Sequence, residues 1–159
     1  MNINEFSNVF EKIGKEWMLV SASKDGKTNC MTASWGGLGV MWGKNAAFVF
    51  IRPQRYTKEF IDSSDFLSLS FFTEVYRKML SFMGSKSGRD VDKIKEQNLH
   101  LIEGNVAPVY SEASVTLICK KMYRQTLKEE SFIDKTCVDK WYPNKDYHDM
   151  YVCEIIDIK

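Results

Sequence analysis

The sequence lacks several features that mark particular classes of protein. Neither sign of charge is in excess, because 22 lysines and arginines stand against 21 acidic residues, for a formal net charge of +1. We therefore expect neither nucleic acid nor an anionic membrane as a partner. No apolar run approaches the roughly 18 residues that span a bilayer, and the N-terminus shows no basic region followed by an apolar one. These absences predict a cytoplasmic protein.

Metal-binding patterns and linkers are also missing. The four cysteines are far apart, and the two histidines, His100 and His148, have no zinc-like spacing with them. We expect no metal site, and the cysteines fit small buried residues of a reducing compartment. With three prolines, no internal repeat and no low-complexity tract, residues 1–159 are predicted to form a single domain.

What the sequence does contain is a succession of strands with a few short helices. Asp25-Gly26 separates two apolar runs and is a strong hairpin signal. Further strands are predicted at residues 46–52, 65–72, 114–127 and 149–158. Helices are predicted from Asn4 to Ile13, with Gly14 ending the helix, and at residues 55–64, 74–85 and 87–97. Residues 128–149 are expected to contain another short helix or to pack on a partner.

These elements predict a fold that is mainly β with short helices, of the α+β class. About six strands are joined mostly by tight turns, without the regular βαβ alternation of a doubly wound sheet. A barrel or a sandwich therefore fits better. In the helix at 74–85, we expect Val75, Met79 and Phe82 along one side.

The stretch 29–43 carries no charge and combines small, polar and flat side chains. Glycine inside a strand indicates a bend or the close approach of another body, and tryptophans offer planar walls. The stretch therefore predicts either a flat ligand lying on the strand or a barrel strand that bends at a glycine with its tryptophans in the core. The residues concerned are Asn29, Thr32, Ser34, Trp35, Gly36, Gly37, Gly39 and Trp42.

An anion site is predicted where the strand at 46–52 gives way to the following helix. Arg52, Arg55 and Thr57 fall at this junction, where free backbone N–H groups and the helix dipole favour an anion. Arginine binds phosphate through its planar fork, so phosphate is the predicted ligand. The alternative is a solvated helix start whose arginines meet Glu59 or Asp62.

A third segment, residues 87–93, combines a polar loop with the start of a helix. Ser87 and Gly88 supply a loop with donor groups, and Asp90 can cap a helix that carries Lys93. The alternative for Lys93 is an ordinary solvent-exposed lysine.

The three segments and the last strand together resemble the flavin reductase-like family of FMN-binding split barrels. The matching motifs are N-x-M-T-x-S-W-G at 29–36, R-P-x-R-Y-T-x-E-x-I at 52–61, S-G-R-D-V-D-K at 87–93 and H-D-M-Y-V-x-E-I at 148–155. The sequence is most similar to the flavoredoxin-type branch. This resemblance implies an FMN-binding split β-barrel that works as a homodimer, with each flavin near the subunit interface.

The resemblance also implies a role for each matched residue. Around the isoalloxazine ring and ribityl chain it places the side chains of Asn29, Thr32, Ser34 and Trp35, with the backbone of Met31 and Ala33 bonding the ring edge. Around the phosphate it places Arg55 and Thr57, with Arg52 nearby and the Ser87-Gly88 loop among the cofactor-binding residues. Lys93 would reach the pyrimidine side of the flavin or its phosphate. His148 would lie near the ring, as the candidate residue on its open face.

Two activities are consistent with this resemblance. The first is an FMN-dependent oxidoreductase of the flavin reductase type, which passes hydride or electrons between NADH or NADPH, the flavin and an unknown acceptor. The second is an electron carrier that holds FMN without efficient nicotinamide oxidation of its own. The chain has no glycine-rich dinucleotide fingerprint that would separate the two.

Overall fold

The computed structural model of the chain describes residues 2–3 and 6–159. In this range, seven antiparallel strands form one sheet with the order β2-β1-β5-β6-β7-β4-β3. The strands are β1 (Met18–Lys24), β2 (Lys27–Ala33), β3 (Gly36–Met41), β4 (Lys44–Ile51), β5 (Phe66–Phe71), β6 (Val115–Thr126) and β7 (Asp149–Ile158). The predicted α+β class is therefore confirmed, and the strand predicted at 149–158 has the same bounds in the structure.

Two tight turns account for the hairpins. In the first, Lys24 pairs with Lys27, and Asp25 and Gly26 both have positive φ values of 50° and 74°. Such angles at both central positions suit the right-handed twist of the flanking strands, so the hairpin predicted from Asp-Gly is confirmed. The β3–β4 turn is built in the same way, with φ values of 53° at Trp42 and 70° at Gly43.

The glycine-rich stretch forms a strand of its own that the pattern did not predict. β3 pairs with β4 from Gly36↔Val49 to Met41↔Lys44, so the strand expected third is the fourth and the sheet has seven strands. Gly36 has φ 152°, and a Cβ there would lie 2.8 Å from the carbonyl oxygen of Phe48. The neighbouring strand therefore requires this glycine, and a flat ligand is not its reason.

The sheet curls into an incompletely closed barrel. Its two edge strands, β2 and β3, are consecutive in the chain and are joined by Ser34 and Trp35 alone. Three residue steps reach at most about 11 Å, so the two edges must approach each other at this end. The interior is filled by a cluster of buried apolar side chains that includes Met18, Val49 and Leu67.

Short helices cover the sheet: α1 (Val9–Glu11), α2 (Thr57–Ser63), α3 (Arg77–Ser85), α4 (Lys93–Glu96) and α5 (Thr136–Trp141). A π-helical segment, Lys12–Glu16, continues α1 past Gly14, so Gly14 does not end the predicted helix. Residues 4 and 5 of that prediction lie outside the described residues. Two 3₁₀ turns precede α3 and α5, at Glu74–Tyr76 and Glu129–Ser131.

Two expectations about the helices need correction. In the segment 74–85, Val75 is 83% exposed, and the buried face consists of Met79, Leu80 and Met83. Val75 belongs to a 3₁₀ turn, so its direction does not follow the period of α3. The helix expected at 87–97 is reduced to α4, because Asp92 rather than Asp90 caps it by accepting a hydrogen bond from the backbone N–H of Lys95. Among the described residues, no helix has the length and apolarity to cross a membrane.

Candidate functional site

Two adjoining cavities lie beside the break between β2 and β3. The larger, which we call the ring cavity, has a volume of about 220 Å³. The smaller, the phosphate cavity, has a volume of about 160 Å³, and Arg55 lines both. Every residue to which the family resemblance gave a cofactor-binding role lines one of the two, whereas Trp42 and the glycines of 36–39 line neither. The ring cavity has Met31, Thr32, Ala33, Ser34, Trp35, Arg52 and His148, and the phosphate cavity has Asn29, Thr57, Ser87, Gly88 and Lys93.

Four flat side chains form one wall of the ring cavity. The rings of Trp35 and Trp141 meet edge to face with centroids 4.9 Å apart, and the imidazole of His148 lies 5.3 Å from Trp35. Phe50 of β4 completes this wall. Trp42 is not part of it, because this residue occupies the β3–β4 turn and packs against Tyr123.

A buried hydrogen bond joins the strand and the helix that meet at the phosphate cavity. The side-chain amide of Asn29 donates to the hydroxyl oxygen of Thr57 over 3.0 Å. The Thr57 hydroxyl proton therefore stays available for a ligand. A Cβ on Gly88 would lie 2.8 Å from Asn29 Cγ and overlap its Oδ1. Gly88 is thus required by its packing on Asn29.

Two cations, the half-buried Arg55 and the buried Lys93, face the phosphate cavity. Arg55 donates to the carbonyl oxygen of Gly84 over 3.0 Å, and Lys93 donates to that of Met83 over 3.0 Å. Burial lowers the pKa of both side chains, and the charge of Arg55 lowers the pKa of Lys93 as well. Neither side chain forms an ion pair with a carboxylate of the described residues. Cations held in this way favour the binding of an anion.

The two alternatives considered for these residues are wrong. Lys93 is only 3% exposed, so it is not a surface lysine. Arg55 does not meet Glu59 or Asp62, since Glu59 pairs with Arg89, and Asp62 pairs with Lys58 and Arg124.

Arg52 has a different environment from Arg55. Its guanidinium forms an ion pair with Asp146 at 2.7 Å, donates to the carbonyl oxygen of Trp141 over 2.8 Å and lies 5.0 Å from the ring centre of Tyr142. Its charge is therefore already paired. These contacts hold the segment 141–146 against the ring cavity.

His148 directly precedes β7 and is buried. Its Nδ1 is 2.7 Å from the hydroxyl of Tyr142. Burial, with a smaller contribution from the nearby charge of Arg52, lowers the pKa of His148 to about 4. The imidazole is therefore neutral at pH 7.

Several lining residues had not been singled out from the sequence. Phe50 reads as an ordinary apolar strand residue, and Trp141 belongs to a polar segment whose position depends on Arg52. Gly84, Ser85 and Lys86, at the end of α3, complete the phosphate cavity. For these three, their position directly before the Ser87-Gly88 loop was the available signal.

Comparison with known proteins yields one family and several similar folds. Residues 10–159 match the model of the flavin reductase like domain. Flavoredoxin from Methanosarcina acetivorans is 23% identical, with a TM-score of 0.69 over 100% of this chain and 73% of that chain. An FMN-binding protein from Thermus thermophilus is 20% identical, with a TM-score of 0.68 over 90% and 70% of the two chains.

A third similar structure is the NADH:FAD oxidoreductase of Streptomyces globisporus. It is 14% identical, with a TM-score of 0.67 over 91% of this chain and 73% of that chain. None of the curated proteins compared with the chain matches it.

Proposed function

Because this chain belongs to the flavin reductase-like family, we propose that it binds FMN and acts as an FMN-dependent oxidoreductase. One observation carries the proposal: a buried lysine and a half-buried arginine, neither paired with a carboxylate of the described residues, line a small cavity that adjoins one with a flat aromatic wall and no acidic side chain. A phosphate would be held by the first cavity and an aromatic ring by the second. Arg55 lines both, so a ligand that carries both groups fits their arrangement.

The phosphate cavity offers donors of the kinds that a phosphate requires. Arg55 keeps further N–H groups beyond the one bound to Gly84, and the hydroxyl proton of Thr57 is free. The hydroxyl of Ser87 accepts a bond from the backbone N–H of Arg89, so its proton is available as well. In this proposal, Lys93 serves the phosphate rather than the pyrimidine side of the ring, because it lines the phosphate cavity and not the ring cavity.

In the ring cavity, backbone and aromatic groups would orient the flavin. β2 is an edge strand, and the N–H and C=O groups on its free side, near Met31 and Ala33, have no strand partner. Trp35 would pack on the ring, and Thr32 and Ser34 would serve the ring and the ribityl chain. Asn29 lines the phosphate cavity and would serve the ribityl chain from there. Bound FMN supplies the hydride and electron chemistry of its ring. The charge of Arg55 would favour electrons added there.

We propose NADH or NADPH as the electron donor and an unknown redox partner as the acceptor. The alternative is an FMN-binding electron carrier without efficient nicotinamide oxidation. The first is favoured by the membership of this chain in the flavin reductase-like family and by its similarity in fold to an NADH:FAD oxidoreductase. The second is favoured by its similarity in fold to flavoredoxin. We also propose that the protein is a homodimer. Light scattering during size-exclusion chromatography would test this by measuring the molar mass.

The FMN proposal is tested by titrating flavin-free protein with FMN. A shift of the flavin absorbance bands and quenching of flavin fluorescence are expected. A phosphate-anchored ligand is expected to bind with a Kd on the order of 1 µM. Unchanged spectra at protein concentrations well above that value would refute binding.

The flavin-loaded protein is then mixed without oxygen with NADH or NADPH. If the flavin bleaches with a rate constant of about 1–10³ s⁻¹, the range of typical enzyme turnover, the result supports the reductase. If only a chemical reductant bleaches it, the reductase proposal fails and the carrier remains.

A further inference from the structure

The side chain of Tyr142 is buried, and its neighbours hold its hydroxyl in one position. Tyr142 is 5% exposed, and its ring contacts both the guanidinium of Arg52, at 5.0 Å, and the ring of Tyr147, at 4.9 Å. Phe132 packs against it with ring centres 5.8 Å apart. These contacts hold the phenol so that its hydroxyl reaches one partner, Nδ1 of His148, over 2.7 Å.

The direction of this hydrogen bond follows from the charge states of its two groups. Burial raises the pKa of Tyr142, so the phenol keeps its proton, and His148 is neutral at pH 7. The phenol proton has no other acceptor among the described residues. Donation from Tyr142 to Nδ1 satisfies both groups, and it leaves the single imidazole proton on Nε2.

The second imidazole nitrogen faces the ring cavity. His148 lines that cavity. In the described part of the chain its Nε2 has no hydrogen-bond partner. The atom is not fully buried, so it keeps some solvent access. Nε2 is therefore open to a molecule in the cavity.

We propose that Tyr142 is a positioning residue that holds His148 in the tautomer with the proton on Nε2, so that the ring cavity presents a neutral N–H donor to a carbonyl oxygen. This inference rests on the proposed function of the cavity. Two molecules could supply the carbonyl: the flavin through its pyrimidine edge, or a nicotinamide through its carboxamide. A protonated imidazole would add a second cation beside Arg52, whereas the neutral donor bonds a carbonyl without adding charge.

The tautomer is measured directly by the ¹⁵N shifts of the imidazole in flavin-free protein. The chain has two histidines, so a His100→Gln variant identifies the signals of His148. We expect a pyridine-type shift for Nδ1 and a pyrrole-type shift for Nε2. In Tyr142→Phe, which keeps the ring, the two shifts should move towards each other as both tautomers become populated.

Tyr147→Phe is the matched control. It removes the hydroxyl of the neighbouring tyrosine, which bonds Glu129 instead of His148, so the His148 shifts should stay as in the wild type. A pyrrole-type Nδ1 in the wild type would overturn the proposal. Unchanged His148 shifts in Tyr142→Phe would do the same.

The acceptor is identified by recording the Nε2 signal with FMN alone and with FMN plus NAD⁺, which cannot reduce the flavin. A change with FMN alone assigns the carbonyl to the flavin, and a change only after NAD⁺ is added assigns it to the nicotinamide. A signal unchanged in both samples, in protein whose spectrum shows bound FMN, overturns the donor role. A protein that binds no FMN refutes the proposed function instead, while the tautomer measurement in flavin-free protein still stands.

Discussion

Replacing Arg55 with methionine should weaken the binding of FMN far more than the binding of riboflavin. Riboflavin has the same ring and ribityl chain but no phosphate. Arg55 lines the phosphate cavity, and one of its N–H groups is already used by the carbonyl oxygen of Gly84. Its remaining N–H groups would meet the phosphate. Methionine keeps the apolar stem of the side chain and removes only the charge and the donors.

The size of the effect follows from the bonds that would be lost. One charge-assisted hydrogen bond contributes about 1.5–3 kcal/mol, which corresponds to an increase of about 10- to 150-fold in the Kd for FMN. The affinity for riboflavin should fall about threefold or less, because riboflavin has no phosphate to bind the N–H groups that are lost. Fluorescence titration of each variant with both flavins measures the ratio. Losses of equal size for FMN and riboflavin would refute the phosphate assignment.

Arg89→Met provides the matched control for this experiment. It makes the same chemical change in the neighbouring loop, but the guanidinium of Arg89 pairs with Glu59 and lies over Tyr56, and it lines neither cavity. Both flavins should bind to this variant about as tightly as to the wild type. Thr57 is a less suitable target, since its loss would leave the buried amide of Asn29 without its partner.

Three further predictions follow from individual contacts. Gly88→Ala should lower the free energy of unfolding, measured in urea, by about 1–3 kcal/mol, because the added Cβ would overlap the amide of Asn29. The control, Gly14→Ala, has open space around the added Cβ and should leave the free energy of unfolding nearly unchanged. Between pH 6.5 and about 4 the unfolded chain binds a proton at His148 and the folded chain does not, so stability should fall as the pH decreases. Linkage limits this loss of unfolding free energy to about 3.4 kcal/mol, and solvent access reduces it to about 1–2 kcal/mol. If the unfolding free energy of His148→Asn falls as steeply with pH as that of the wild type, the assignment to His148 is wrong. Trp141→Ala should enlarge the ring cavity and speed flavin bleaching by NADH, and an unchanged rate would show that Trp141 does not limit access.

Local signals in the sequence were sufficient for most of the sheet. The Asp25-Gly26 pair determines a hairpin through its own backbone preferences, and the β-branched and aromatic run at 149–158 forms β7 over those same residues. β3 was missed because its glycines lower β-propensity. The carbonyl of Phe48, which makes glycine necessary at position 36, belongs to the next strand. A requirement that comes from a neighbouring strand leaves no local pattern.

The site residues that lie within a sequence motif could be predicted. The site residues that only the folded structure brings together could not. The motif segments 29–36, 52–61 and 87–93 contain the residues that line the phosphate cavity apart from those at the end of α3. The burial of Lys93 beneath its loop could not be inferred, since an isolated polar helix leaves its lysines exposed. Trp141 is held at the ring cavity by residues distant in the sequence, since Arg52, 89 residues earlier, binds its carbonyl oxygen and Trp35 packs on its ring.

The break in the barrel explains why the site lies where it does. A fully closed barrel would pair β2 with β3 and use the backbone groups of both edges within the sheet. Here the chain leaves β2 at Ala33 and enters β3 at Gly36, so Ser34 and Trp35 lie outside both strands and line the ring cavity. Gly36 allows the abrupt start of β3, since a larger residue would collide with the Phe48 carbonyl. We therefore expect that the glycine contributes to the site indirectly, by holding the break open, without contacting the ligand.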